Sequence, residues 1–180
     1  MDIQGDRWNQ ALNKILKRLA LNEKPGFLIL AGPKGSGKTD LLDLVRKITQ
    51  HQISMEEIKN EENFKLAEAI YSKKYLCIYL SSSDKWASAP AIILNSLIDK
   101  LCANGANKGQ NILLIWDNID KAIDNSYEEM NKRFLGEIYQ SFPMYNNLTF
   151  ICAVTSVGGK TFEPFNKNAI APHLMHLSIS

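Results

Sequence analysis

The sequence predicts an α/β domain built on a mainly parallel, five-stranded sheet. Short apolar runs, typical of buried strands, alternate along the chain with longer segments whose apolar residues have helical spacing. The first of these runs, Phe27–Ala31, has no polar residue on either face, which is typical of a strand that is covered on both sides. Strands that alternate with helices are joined by right-handed crossovers, so the predicted architecture is a three-layer αβα sandwich.

The composition bounds the size and class of this domain. The chain has 180 residues, of which 45 % are hydrophobic and 22 % are charged. This mixture argues against a disordered chain, and no apolar run approaches the roughly 20 residues that a membrane-spanning helix needs. The net charge of +2 does not indicate nucleic-acid binding by itself. Three cysteines without a CxxC pair and a polar N-terminus favour a cytoplasmic protein without membrane association.

The elements follow in order from the apolar pattern. A first helix is predicted over 6–21, where apolar residues recur every three or four positions before the breaker Asn22–Gly26. The predicted strands are 27–31, 75–80, 111–116, 148–154 and 174–178. Further helices are predicted from Thr39, over 51–72, over 87–101 and over 127–142. The chain is therefore one domain, 1–180, with an N-terminal helix and linker over 1–26 and a core over 27–180.

A glycine-rich loop directly follows the first predicted strand. It matches the pattern G-x-x-x-x-G-K-[ST] in full, with Gly32, Pro33, Lys34, Gly35, Ser36, Gly37, Lys38 and Thr39. Glycines let the backbone approach a phosphate, and successive N–H groups with a helix N-terminus bind anions. Lys38 is expected to neutralise the β- and γ-phosphates, and Thr39 to place its hydroxyl on Mg²⁺. The strand, loop and helix context therefore predicts a P-loop that binds Mg-ATP.

A carboxylate ends the third predicted strand. Asp117 follows the apolar run Ile112–Trp116, where a buried charge is costly unless a cation meets it. In a P-loop fold that cation is Mg²⁺, usually bound through water. Asp117 is therefore the candidate Walker B aspartate and, with Thr39, a candidate metal ligand. The alternative is that Asp117 is a helix cap or a turn residue.

The two motifs together resemble those of the additional-strand group of P-loop NTPases. Within that group, Asp117-Asn118-Ile119-Asp120 resembles the D-E-x-D stretch of AAA-plus ATPases of the origin-recognition type and the matching stretch of STAND signalling ATPases. The resemblance covers the chain from about Trp8 to Ser178. It implies a polar sensor of the γ-phosphate at the end of the fourth strand, where Thr155 and Ser156 stand. We favour Thr155, and the alternative is an ordinary strand end.

Three departures from the AAA-plus pattern bear on activity. Asn118 stands where the pattern has a catalytic glutamate, and an amide holds a water but cannot take its proton. Asp120 is the nearest carboxylate that could replace that glutamate. No arginine follows the fourth predicted strand, so the resemblance implies that another chain or subunit supplies an arginine finger. A helical lid is also missing after the fifth strand, and we expect a core excised from a longer protein.

These observations leave more than one function open. The first interpretation is a slow Mg-ATPase core within a larger AAA-plus or STAND-type assembly. The alternative is a nucleotide-gated switch or assembly module with little or no hydrolysis, which Asn118 favours. A small-molecule kinase is disfavoured because arginines that would clamp an acidic acceptor are scarce. Nucleic acid stays open as a partner, but no motif indicates it.

Overall fold

The computed structural model describes residues 5–22, 26–81, 110–119, 147–155 and 174–179. Its α-helices are α1 (Asp6–Leu21), α2 (Lys38–Thr49) and α3 (Glu61–Tyr71), and a 3-10 turn at Met55–Glu57 precedes α3. Its strands are β1 (Phe27–Gly32), β2 (Tyr75–Ser81), β3 (Asn111–Asp117), β4 (Leu148–Thr155) and β5 (Leu174–Ser178). The helices predicted over 87–101 and 127–142 lie outside the described residues, as do Asp120 and Ser156.

The five strands form one parallel sheet in the order β2-β3-β4-β1-β5. Strand β4 lies between β1 and β3. It is therefore the additional strand of the P-loop NTPase group that the sequence resembles. The register pairs Phe27 with Phe150 and Gly32 with Thr155. Because parallel strands all end at the same edge, the C-terminal ends of β1, β3 and β4 lie side by side. This edge is where the glycine-rich loop, Asp117 and Thr155 come together.

Both faces of β1, β3 and β4 are largely buried, as their apolar runs predicted. One face contributes alternate residues to a core shared with α1, α2 and α3, namely Leu28, Leu30, Leu113, Ile115, Ile151 and Ala153. The residues of β1, β3 and β4 on the opposite face are equally shielded from water, and there the rings of Phe27 and Phe150 lie 4.8 Å apart between centroids. Strands buried on both faces form the middle layer of a three-layer α/β domain, which confirms the predicted fold class.

Helix α3 is shorter than the helix predicted over 51–72. It begins at Glu61, because the side-chain oxygen of Asn60 accepts a hydrogen bond from the backbone N–H of Asn63 at 3.0 Å. This bond satisfies one of the N–H groups that a helix leaves without an acceptor at its start. The acidic residues before and within the first turn stay exposed, as a solvated face predicts.

Helix α1 packs its apolar stripe against α3 and the shared core. Two side chains donate hydrogen bonds to the last turn of α1: Lys73, which lies just before β2, and Tyr75, the first residue of β2. The ammonium of Lys73 donates to the carbonyls of Leu19 and Ala20, and the hydroxyl of Tyr75 donates to the Leu19 carbonyl at 2.7 Å. Burial raises the pKa of Tyr75 to about 12, so its phenol remains a donor. Within the described part of the chain, no helix combines the length and apolar character needed to cross a membrane.

Candidate functional site

The glycine-rich loop joins β1 to α2 through two residues in left-handed backbone conformation. Gly35 has φ +81° and Gly37 has φ +82°, a region that residues with a Cβ rarely adopt. A hydrogen bond from the N–H of Ser36 to the carbonyl of Pro33, at 3.2 Å, closes the turn. The first turn of α2 points its N–H groups toward the loop, and such a helix start attracts negative charge. The loop is thus shaped as an anion-binding backbone.

The ammonium of Lys38 is folded into this loop. It donates to the carbonyls of Gly32 and Pro33, both at 2.8 Å, and to the Ser36 hydroxyl at 3.3 Å. The side chain is buried although most of the loop around it is exposed. A positive charge is therefore fixed among loop oxygens, at the place that the sequence predicted for phosphate binding.

Gly32 is required at its position by packing. A Cβ there would collide with the carbonyl oxygen of Ile179 and lie 2.7 Å from the Ser36 hydroxyl oxygen. The chain is held this close because the N–H of Ile179 donates to the Ala31 carbonyl at 2.8 Å. The backbone that follows β5 therefore rests on the first residue of the loop. Sequence reasoning did not find this contact, since it joins residues that lie far apart in the sequence.

The two predicted metal ligands meet at the end of β3. The Thr39 hydroxyl donates a hydrogen bond to Oδ2 of Asp117 at 2.8 Å, across 78 positions of sequence. Asp117 is only 2 % exposed, whereas Thr39 is accessible to solvent at the start of α2. A carboxylate and a hydroxyl are the hard oxygen ligands that Mg²⁺ takes in proteins. The pair can therefore hold a divalent cation next to the anion-binding loop.

Tyr79 is a member of the site that sequence reasoning missed. Its hydroxyl donates to the same Oδ2 of Asp117, at 3.2 Å, from strand β2. Burial and the negative charge of Asp117 raise the pKa of Tyr79 well above its usual range, so the phenol stays protonated. A signal was available, because alternation along β2 places Tyr79 on the face of the sheet toward α2. Nothing in the local sequence, however, shows which carboxylate it reaches.

The remaining predicted site residues lie at the same edge, as far as the structure describes them. Thr155 ends β4 opposite Gly32 and is half-buried. Asn118 is also half-buried and has φ +54°, a left-handed conformation that asparagine tolerates better than most residues. Asp120 and Ser156 lie outside the described residues. The structure therefore brings Thr155 and Asn118 to the loop edge and leaves their roles as predictions.

Helix α1 contacts the loop directly. The indole Nε1 of Trp8 donates to the carbonyl of Gly37 at 3.1 Å, and Trp8 is buried. The sequence pattern assigned Trp8 only to the apolar stripe of α1. The bond adds a second function for the residue, because it fixes the carbonyl of the helix cap that precedes Lys38.

Comparisons with solved structures show the fold of the chain. No protein-family model and no curated protein matches the chain. Among solved structures, ORC1 of Aeropyrum pernix in complex with DNA has a TM-score of 0.59 at 16 % identity, over 96 % of this chain and 44 % of that chain. ORC2 of Aeropyrum pernix, with ADPNP and ADP, has a TM-score of 0.56 at 16 % identity, over 97 % and 48 %.

A third solved structure agrees with these two. The FIGL-1 AAA domain in complex with ADP has a TM-score of 0.53 at 15 % identity, over 98 % of this chain and 54 % of that chain. The chain thus spans about half the length of each of these three structures. The chain therefore has the fold of the AAA-plus P-loop NTPases.

Proposed function

We propose that this chain binds Mg-ATP at the glycine-rich loop and is the slow ATPase core of a larger AAA-plus-type assembly. The observation that carries the proposal is the hydrogen bond between Thr39 and Asp117. It joins the end of the loop motif to the end of a strand far along the chain. A glycine-rich turn without a ligand would have no need for a buried carboxylate at that point.

The loop supplies the phosphate-binding groups in this proposal. Backbone N–H groups from Gly35 to Thr39 and the N-terminus of α2 would bind the phosphate oxygens. Lys38 now donates to two loop carbonyls, and phosphate oxygens would take their place as acceptors. An ammonium binds an anionic oxygen more strongly than a neutral carbonyl, so the exchange favours the nucleotide. A nucleotide with a triphosphate is the ligand that fits these groups.

Thr39 and Asp117 would hold the metal. In the described part of the chain, no group of three or more histidine, cysteine or acidic side chains is placed to hold a metal ion. Mg²⁺ commonly keeps waters and uses one or two protein ligands together with substrate phosphates. The metal would therefore arrive with the nucleotide. When bound, Mg²⁺ neutralises charge that develops on the phosphates.

Hydrolysis would be slow because the groups that activate water are weak in this chain. Asn118, beside Asp117, can orient a water but cannot accept its proton. Asp120 remains the candidate base, and Thr155, with Ser156 as its neighbour, the candidate sensor of the γ-phosphate. We also propose that a partner chain supplies the arginine finger, which is worth several powers of ten in rate.

The second candidate function is a nucleotide-gated switch or assembly module. Asn118 favours this function, because a site without a strong base hydrolyses its bound ATP slowly. The switch and the slow ATPase share the same binding site and differ only in turnover. A turnover measurement on the same sample therefore separates them.

The experiment is a calorimetric titration with ATP, in Mg²⁺ and in EDTA, followed by a phosphate-release assay. We expect the wild type to bind ATP about tenfold or more tightly with Mg²⁺, and to turn over below the usual enzyme range of roughly 1–1,000 per second. Asp117→Ala should remove the difference between Mg²⁺ and EDTA. Asp40 is an exposed carboxylate in the first turn of α2, and Asp40→Ala should retain the difference between Mg²⁺ and EDTA.

Three results would count against the proposal. A wild-type chain that binds no ATP contradicts the proposed function altogether. An unchanged Mg²⁺ effect in Asp117→Ala removes the metal role of that residue. Turnover at tens per second by the isolated chain would contradict two inferences: that the chain lacks a strong catalytic base, and that it needs a partner chain for efficient hydrolysis.

A further inference from the structure

The buried Asp117 carboxylate has a donor that the proposed function does not use. Its Oδ2 accepts one hydrogen bond from Thr39 at 2.8 Å and another from Tyr79 at 3.2 Å. The first donor lies at the start of α2, and the second lies on β2, the neighbour of β3 in the sheet. Asp117 is thus held from a helix and from a strand at once.

The Thr39 and Tyr79 hydroxyls would have different roles when a metal binds. The Thr39 hydroxyl would offer an oxygen lone pair to the cation, in addition to donating its proton. The Tyr79 hydroxyl is not one of the proposed metal ligands, so it can donate to Asp117 both before and after metal binding. A carboxylate removed from water needs such donors, since each lost hydrogen bond costs free energy.

Tyr79 is itself fixed in place. In the register of β2 and β3, Ser81 lies opposite Asp117 and Tyr79 lies two positions earlier, on the same side of the sheet. The guanidinium of Arg46 lies 6.0 Å from the centroid of the Tyr79 ring, a cation–π distance. Two nitrogens of Arg46 donate to Asp43 at 3.0 and 2.6 Å, which anchors the guanidinium on α2. The Tyr79 side chain therefore extends from β2 toward α2, the helix that carries Thr39, and Arg46 of that helix lies over its ring.

We propose that Tyr79 is a positioning residue that orients the Asp117 carboxylate for Mg²⁺ and so sets the Mg²⁺ affinity of the ATP site. The inference rests on the proposed function, because it assigns Tyr79 to the same metal site. It separates two properties of that site. The affinity for the metal depends on Tyr79, whereas the affinity for the nucleotide without metal depends on the loop.

The chain offers a matched control on the same strand. Tyr75 lies on the same face of β2, is also half-buried, and donates its hydroxyl to the Leu19 carbonyl at 2.7 Å. Tyr75→Phe therefore removes an equivalent hydrogen bond away from the metal site. Tyr79→Phe keeps the ring and its contact with Arg46, and loses only the hydroxyl.

The test is a Mg²⁺ titration of ATP binding for the wild type and both variants. Losing a hydrogen bond to a charged group predicts a rise of about tenfold in the Mg²⁺ concentration at half-maximal binding for Tyr79→Phe. ATP affinity in EDTA should stay within about twofold of the wild type. Tyr75→Phe should leave the Mg²⁺ midpoint within about twofold, whatever its effect on the unfolding temperature.

A double-mutant cycle shows whether Tyr79 acts through Asp117. Adding Tyr79→Phe to Asp117→Asn should produce no further change in the Mg²⁺ midpoint, because the acceptor that it positions is already altered. Independent, additive effects would overturn the inference, and so would a Tyr79→Phe midpoint within twofold of the wild type. A wild-type chain that binds no Mg-ATP would instead overturn the proposed function and this inference with it.

Discussion

Replacing Lys38 with alanine is expected to weaken Mg-ATP binding at least about 100-fold, or roughly 2.7 kcal/mol. The side chain is 6 % exposed, and its ammonium is held at 2.8 Å from the carbonyls of Gly32 and Pro33. Alanine removes the one buried cation that the described part of the loop offers to the phosphates. Equilibrium binding of a fluorescent ATP analogue, with the unfolding temperature measured in parallel, checks this result.

Lys34 provides the control for Lys38. It belongs to the same loop and carries the same charge, but its side chain is exposed. Lys34→Ala should change ATP affinity by less than about fivefold, since exposed charges interact weakly through water. Equal losses in the two variants would mean that the loop attracts ATP only by its overall charge. An undiminished affinity in Lys38→Ala would place the nucleotide elsewhere.

Replacing Gly32 with alanine is expected to destabilise the whole domain by about 3 kcal/mol, the upper end of the usual cost of overpacking. The added Cβ would meet the backbone carbonyl of Ile179, which cannot rotate away as a flexible side chain could. Either the end of β1 or the chain after β5 would have to move. The free energy of unfolding from urea titration measures the loss, and ATP affinity should fall with it because the Gly32 carbonyl holds Lys38.

Gly5 is the matched control for Gly32. A Cβ at Gly5 would have nothing within 4 Å, so Gly5→Ala adds the same methyl group without a collision. We expect it to cost less than about 1 kcal/mol, through its position as the cap of α1. If both variants unfold at the same urea concentration as the wild type, the close approach between Gly32 and Ile179 does not exist in solution.

Most of the fold could be predicted because its signals are local. Each described strand is built mainly of apolar residues, and its predicted bounds differ from the observed ones by no more than one residue. Helix α1 was also predicted at its observed length. The helix over 51–72 was predicted too long, because its apolar spacing continues upstream of the cap at Asn60. Capping depends on side-chain geometry, which spacing alone does not reveal.

The candidate site could be predicted only in part. Its loop and the Asp117 carboxylate follow from motifs whose residue types have a chemical reason, and the structure brings Thr39 and Asp117 together. Tyr79 and Trp8 were missed, because each reaches the site through one hydrogen bond from a distant element. Alternation predicts which face such a side chain occupies. The identity of its partner depends on sheet order and helix packing, which the local pattern does not contain.

The most direct test of the account is an amide NMR spectrum of the labelled chain, titrated with Mg-ATP. If the loop binds the phosphates, the largest shift changes should occur at the amides of Gly35, Gly37, Lys38 and Thr39, whose N–H groups lie at the loop and the start of α2. The glycine amides make these signals easy to follow. Saturable shifts confined to other parts of the chain, or none at all at millimolar Mg-ATP, would contradict the central claim.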